Sequence, residues 1–221
     1  MNQWEKIYQK YKSYGASLDY LPETVNLFKQ RRVERILDLG CGSGKHAIYL
    51  SENGYDVYGF DISQMAIETA REITKNKNLP IDFRTGSMYE KFPYKNDYFD
   101  AIVNIRVINH GKIQQIRKTI REIERVLKPG GLIFIGVQRI ISRQKTEVRF
   151  FNSIKVKMLD ENTYYPLEGR EKGIIHYIFN KKLIKQEFKN FKINKFWLFR
   201  GKEKWERYYY FIGELKNRKA E

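Results

Sequence analysis

From Arg35 to Lys45 the chain reads Arg-Ile-Leu-Asp-Leu-Gly-Cys-Gly-Ser-Gly-Lys. Ile36, Leu37 and Leu39 make a short buried strand, glycines follow at Gly40, Gly42 and Gly44, and an apolar helix-like run starts at Ala47. A strand that feeds a glycine loop opening a helix is the ligand-binding turn of an open α/β sheet. A side chain on that loop would keep a ligand from the backbone, and the turn itself calls for φ > 0, which glycine adopts freely. The stretch restricts the fold to layers of helix on sheet. It leaves the ligand open.

The flanking sequence fits that restriction. In residues 1–32, Trp4, Ile7, Tyr8, Tyr11 and Tyr14 recur at helical spacing, Gly15 ends the run, and Pro22 opens a second helix carrying Val25, Leu27 and Phe28. This segment is expected to cap the site in front of the sheet. A helix is expected from Lys45 to Glu52, stopped by Asn53-Gly54, and then a strand from Tyr55 to Asp61. Ser63 is placed to cap a helix through Lys75. Further strands follow at 81–84 and 99–105, then a helix from Lys112 to Leu127 stopped by Pro129-Gly130-Gly131, and a fifth strand at Leu132–Val137. Such alternation predicts a doubly wound, mostly parallel sheet. Residues 138–176 lose the rhythm and read as an insertion with short strands. A helix over Lys181–Phe188 and two aromatic-rich runs, Ile193–Phe199 and Arg207–Leu215, joined at Gly201, predict a closing antiparallel hairpin. With no repeat or linker, residues 1–221 are expected to form one domain.

Composition narrows the function. No apolar run nears the ~20 residues of a membrane helix, and Met1-Asn-Gln-Trp-Glu-Lys lacks the layout of a signal peptide. The single cysteine, Cys41, precludes an internal disulfide and fits a reducing compartment, so a cytoplasmic location is expected. Of the net charge of +16, +11 falls in residues 138–221, which also hold 16 of the 33 aromatic residues. Basic charge interleaved with rings suits nucleic acid. The favoured reading is a lysine-rich solvated surface over an aromatic core, because charge speaks to solubility before function.

Four motifs together carry a resemblance: Ile36-Leu-Asp-Leu-Gly-Cys-Gly-Ser-Gly44, Val57-Tyr-Gly-Phe-Asp61, Phe99-Asp-Ala-Ile102 and Arg125-Val-Leu-Lys-Pro-Gly-Gly131. In order and spacing, over residues 33–137, they resemble the class I S-adenosylmethionine-dependent methyltransferases. A dinucleotide turn reads G-x-G-x-x-G so that a pyrophosphate can approach the helix. Here the third glycine comes one residue early, and Lys45 stands where a dehydrogenase would have glycine. The resemblance implies a Rossmann-like seven-stranded sheet with an antiparallel last strand, and S-adenosylmethionine as cofactor, released as S-adenosylhomocysteine. It implies that Gly40, Cys41, Gly42 and Gly44 line the cofactor, that Asp38 meets the methionyl ammonium directly or through water, and that Asp61 accepts from the ribose hydroxyls. It places Ile62 beside adenine, Ser87 and Met88 at its amino edge, and Asn104 with Ile105 near the sulfonium. At Ser87 the chain departs from the family, which usually has an acidic residue there.

Methyl transfer from a sulfonium requires alignment and exclusion of water, and a base only when the acceptor is protonated. The acceptor is expected at the strand ends and insertions. Arg106 and His110 follow the fourth strand, and Tyr11 and Tyr14 lie on the cap. His176 belongs to a stretch (Glu161-Asn-Thr163, Gly169-Arg-Glu-Lys-Gly173) that resembles the C-terminal part of small stand-alone archaeal and bacterial methyltransferases. His110 and His176 are the candidate bases, whereas His46 is expected to bond locally. The three histidines and one cysteine show no ligand spacing, so no metal is expected.

The leading reading is methyl transfer to a small molecule by a monomer or homodimer. The second is a tRNA or rRNA methyltransferase using the basic C-terminal part, although no Asn-Pro-Pro-Tyr follows the fourth strand, which continues Asn104-Ile-Arg-Val. The third is a cofactor-binding protein that transfers nothing.

Overall fold

The fold was analysed in a computed structural model, which describes residues 2–11, 18, 20–138, 155–200 and 207–217. Helices α1 (Gln3–Tyr11) and α2 (Leu21–Gln30) precede the strand β1 (Arg35–Leu39). Then follow α3 (Lys45–Glu52), β2 (Asp56–Asp61), α4 (Gln64–Asn76), β3 (Asp82–Thr85), β4 (Phe99–Ile105), α5 (Ile113–Val126) and β5 (Leu127–Gln138). The remainder holds short strands β6 (Val156–Met158), β7 (Thr163–Pro166) and β8 (His176–Tyr177), then α6 (Lys181–Glu187), β9 (Phe191–Arg200) and β10 (Arg207–Leu215).

Seven strands form one sheet in the order β3-β2-β1-β4-β5-β10-β9. Pairing is parallel from β3 through β5, and β10 runs antiparallel to both β5 and β9. The period-two alternation of strands sorts the apolar residues onto two faces. Ile36, Val57, Ala101, Val103 and Phe134 pack with α2, α3 and α4 through Val25, Phe28, Ala47, Leu50 and Ile67. Leu37, Leu39, Phe60, Ile102, Ile133 and Ile135 pack on the other face with Ile116, Ile120 and Ile123 of α5. Both faces are covered, as a parallel sheet demands. The order reverses between β1 and β4, and the crevice at their carboxyl ends is where such sheets hold ligands.

The largest boundary difference from expectation is at the start of β5. The long helix ends at Val126, and Leu127 already pairs with Phe99, so β5 begins five residues earlier than Leu132. The ladder then shifts register before Ala101 meets Leu132. Pro129, which has no N–H to give, is accommodated in that irregular stretch. The insertion is a sheet of its own, β6-β7-β8. Gly15 and the turn at Gly201 lie outside the described residues.

Candidate active site

The glycine turn crosses the crevice with Gly40, Gly42 and Gly44 all at positive φ (+79°, +53° and +83°). At Gly40 a Cβ would sit 2.4 Å from a methyl of Val107, in the loop after β4. The two loops therefore touch only because one of them has no side chain there. Gly40 N–H donates to the Phe60 carbonyl at 2.7 Å, which ties the turn to the end of β2. Gly44, left-handed, is the N-cap of α3.

Two carboxylates set the electrostatics. Asp38, at 0 % exposure, accepts from the Ala47 N–H through Oδ2 (3.0 Å), while its buried Oδ1 has no hydrogen-bond partner. Burial pushes this carboxyl up to about 7; the Ala47 N–H opposes the rise and the Asp61 charge adds to it. A buried orphan acceptor of this kind costs ~1–3 kcal/mol, and an ammonium is the partner that would satisfy it. Asp61 ends β2 and accepts from the N–H groups of Gly42 (2.8 Å) and Ser63 (2.9 Å), so its carboxylate also braces the turn. Burial raises its pKa, the N–H groups of Ser63, Gly42 and Ile62 lower it, and the Glu5 charge raises it. An open backbone loop, an orphan buried carboxylate and a second carboxylate at the next strand end fit the methionyl and ribose parts of S-adenosylmethionine.

The other expected cofactor contacts divide into two kinds. Ile62 is half-buried, and its carbonyl accepts from Asn2. Ser87 Oγ caps the following turn by accepting from Tyr89 N–H, and the Met88 carbonyl accepts from Thr119. Asn104 is wholly buried and ties two loops together: Nδ2 donates to the Leu39 carbonyl and Oδ1 accepts from Ile108 N–H, both at 2.9 Å. Its side chain positions the loops around the crevice. Cys41 was expected to face the cofactor; its side chain is buried as a member of the core cluster that also holds Ala47, Ala70 and Phe83, with its sulfur against Gly59. Burial holds the thiol well above its ordinary pKa, which removes any nucleophilic role.

The acceptor candidates fall into two groups. Arg106, at φ +62°, leans over the Tyr208 ring with its guanidinium carbon 3.7 Å from the centroid. That side of the crevice also holds Tyr20, whose hydroxyl bonds His46 Nε2 at 2.9 Å. His110 and His176 come together elsewhere, edge to face at 4.8 Å, with Trp4 of α1 at 4.8 Å on His110. Tyr164 stacks on His176 at 4.9 Å. Burial, aided by His176, pushes the His110 imidazole down to about 3, although Glu171 and the Val107 carbonyl act the other way. His110 is thus a neutral group through the physiological range and a poor holder of a proton. Tyr11 lies under the Arg170 guanidinium at 4.5 Å, against the insertion. Tyr14 lies outside the described residues.

Two residues at the site give no sequence signal. Glu5 accepts from Met65 N–H at 3.1 Å, and its second oxygen is buried and unpartnered beside the crevice. In sequence it is one acid in the first turn of an amphipathic helix. Glu171 lies 3.1 Å from His176 Nε2 and is one of many charges in the insertion. Only the packing of α1 and of the insertion reveals either.

Residues 36–131 match the family model described as a methyltransferase domain. The ubiquinone biosynthesis O-methyltransferase of Bartonella tribocorum is 34 % identical over 102 residues, covering 46 % of this chain and 40 % of that protein. The chain therefore matches less than half the length of this curated relative. The PH0226 protein of Pyrococcus horikoshii superposes with a TM-score of 0.73 at 22 % identity, covering 96 % of this chain and 99 % of that one. The Burkholderia thailandensis 1,6-didemethyltoxoflavin-N1-methyltransferase, solved with bound 1,6-didemethyltoxoflavin and S-adenosylhomocysteine, gives a TM-score of 0.70 at 13 % identity, covering 96 % of this chain and 84 % of that one. These two share the fold. Residues 36–131 are therefore similar to a methyltransferase domain, and the seven-stranded sheet with its glycine turn and two carboxylates has the fold of S-adenosylmethionine-dependent methyltransferases.

Proposed function

We propose that this protein transfers a methyl group from S-adenosylmethionine to an oxygen of a small-molecule acceptor. The observation that carries the reading is the buried, unpartnered Oδ1 of Asp38 beneath a glycine turn whose loop has room only for backbone. Bound there, S-adenosylmethionine supplies a methyl carbon activated by a sulfonium. The chain's own work is placement. Asp38 holds the ammonium, Asp61 and the Gly40–Gly44 backbone orient the ribose and tail, and Asn104 fixes the loops between which the methyl is presented.

Helix α1 excludes water from that space. Asn2 donates to the Ile62 carbonyl at the cofactor end, and Gln3 donates to the Lys172 carbonyl of the insertion at 3.0 Å. Trp4, the next residue along the helix, packs on His110. A cover that spans both ends supports a small acceptor enclosed beneath it. The choice of oxygen is supported by the O-methyltransferase relatives alone. Among the described residues no helix is long and apolar enough to cross a membrane.

Isothermal titration with S-adenosylhomocysteine tests the cofactor part; absence of binding at millimolar concentration would sink it. Incubation of a metabolite pool with methyl-labelled cofactor tests transfer. Label on a hydroxyl of a small molecule is expected, and label confined to added tRNA or rRNA would replace the small-molecule acceptor with RNA.

A further inference from the structure

Three ligand-type side chains from two distant stretches of sequence meet beyond the carboxyl end of β4. His110 ends the loop after that strand, while Glu171 and His176 come from the insertion. One ligand atom from each lies within 4.8 Å of the others. His176 Nε2 stands 3.1 Å from Glu171 Oε2 without hydrogen-bond alignment, and its Nδ1, also buried, has no hydrogen-bond partner. Buried ring nitrogens without partners cost free energy. A cation among the three groups would satisfy them together.

We propose that His110, Glu171 and His176 bind one divalent transition-metal ion of the zinc class, with a coordination position left open. Two imidazoles and one carboxylate form a ligand set suited to such ions, and three protein ligands leave room for an exchangeable oxygen. The backbone already holds the two stretches in register. Gly111 N–H donates to the Ile175 carbonyl at 2.7 Å, and Tyr177 N–H donates to the Asn109 carbonyl at 2.6 Å, on either side of a bridge between His110 and His176. Trp4 and Tyr164 brace the two imidazoles from outside.

Tetrahedral zinc, with bonds of about 2.0–2.1 Å, sets its ligand atoms about 3.3 Å apart. Side-chain rotation closes the remaining gap. The Glu171 side chain is 24 % exposed, against 3 % for His176, and gives the ion its way in. The open position takes water or, resting on the methyl-transfer reading above, the acceptor's oxygen. A hydroxyl bound there releases its proton to solvent more readily and keeps its electron pair.

The test uses the whole chain after chelator treatment, titrated with Zn²⁺ by calorimetry and with Co²⁺ by visible absorption. One Zn²⁺ per chain and a saturable Co²⁺ spectrum are expected. His176→Asn and Glu171→Gln should each weaken Zn²⁺ binding by at least about tenfold with far-UV circular dichroism unchanged. Glu68→Gln, an exposed change on α4, should leave binding as it was. No saturable Zn²⁺ heat and no Co²⁺ spectrum, or undiminished binding by both cluster variants, would overturn the site. S-adenosylhomocysteine titrated into the same samples reads the cofactor site separately. Its binding without metal uptake overturns the metal site alone, and metal uptake without its binding upholds the metal site while overturning the methyl-transfer reading.

Discussion

The two ends of the crevice are built in opposite ways. At the cofactor end, the glycine turn, Asp38 and Asp61 come from 24 consecutive residues, 38–61, and the surface they offer is mostly backbone. At the other end, Trp4, His110, Glu171 and His176 come from three separate stretches, and the surface is side chain throughout. Backbone geometry tolerates few sequences, so the first end is nearly fixed in kind. Side chains on a helix and an insertion vary without disturbing the sheet, so the second end is the one where the proposed acceptor site can vary.

The comparison breaks most readily at Gly40. Gly40→Ala drives a Cβ into Val107 at a left-handed residue, and should cost about 2–4 kcal/mol of stability and about a hundredfold or more in S-adenosylhomocysteine affinity. Chemical denaturation and calorimetry read both; near-unmodified affinity would mean that the cofactor end does not depend on backbone. Asp38→Asn should cost about 1.5–3 kcal/mol of that affinity. The pH dependence of the unmodified protein has two signs. The folded carboxyl lies near 7 against 3.8 for the free group, so the ligand-free fold holds more protons, and Asp38 favours folding as pH falls from about 7 toward 4. An ammonium ligand needs the ionised form, so affinity should drop about tenfold per pH unit below 7. Affinity flat from pH 8 to 5 would remove Asp38 from the binding step.

Smaller effects sharpen the other end. Trp4→Ala removes the ring over His110 and should weaken apparent acceptor affinity by about 1 kcal/mol, leaving S-adenosylhomocysteine affinity within about twofold. Equal loss at both would show that α1 serves the crevice as one unit. Ser63→Ala deletes the cap that accepts from Ala66 N–H at 3.2 Å and should cost about 1 kcal/mol of stability with cofactor affinity unchanged. A melting midpoint that does not move would deny the cap its role.

The same contrast governs what was legible beforehand. Strand β4 and helix α3 fall on the residues expected of them, because their apolar periodicity and stop signals are local. So do the glycine turn, Asp38 and Asp61, whose relation is a matter of spacing along one β-α-β unit. The burial of the Cys41 side chain was not legible, because it depends on the packing of Gly59 against the turn. Arg106 was expected with His110 at the acceptor pocket after the fourth strand, and its guanidinium lies over Tyr208. Glu171 was passed over because its partners lie 61 residues upstream and five downstream, and no spacing rule links them. Pro129-Gly130-Gly131 is a strong stop by composition, yet pairing with β4 began the strand before it.

The place of β10 between β5 and β9 has a consequence for how the chain is made. Once residue 138 has left the ribosome, β1 to β5 can pair in parallel, yet β5 then ends the sheet with Ile133, Phe134, Ile135 and Val137 all apolar. Its partner, Tyr208–Glu214, is synthesised some 70 residues later. During that interval the nascent chain carries a sticky open edge, the feature that finished proteins avoid because it recruits other strands. The wait ends when β10 inserts, and β9 can join the sheet only through it. Completion of this fold is therefore a late, ordered event. A slowing of translation between residues 138 and 207 would be felt as aggregation before it was felt as lost activity.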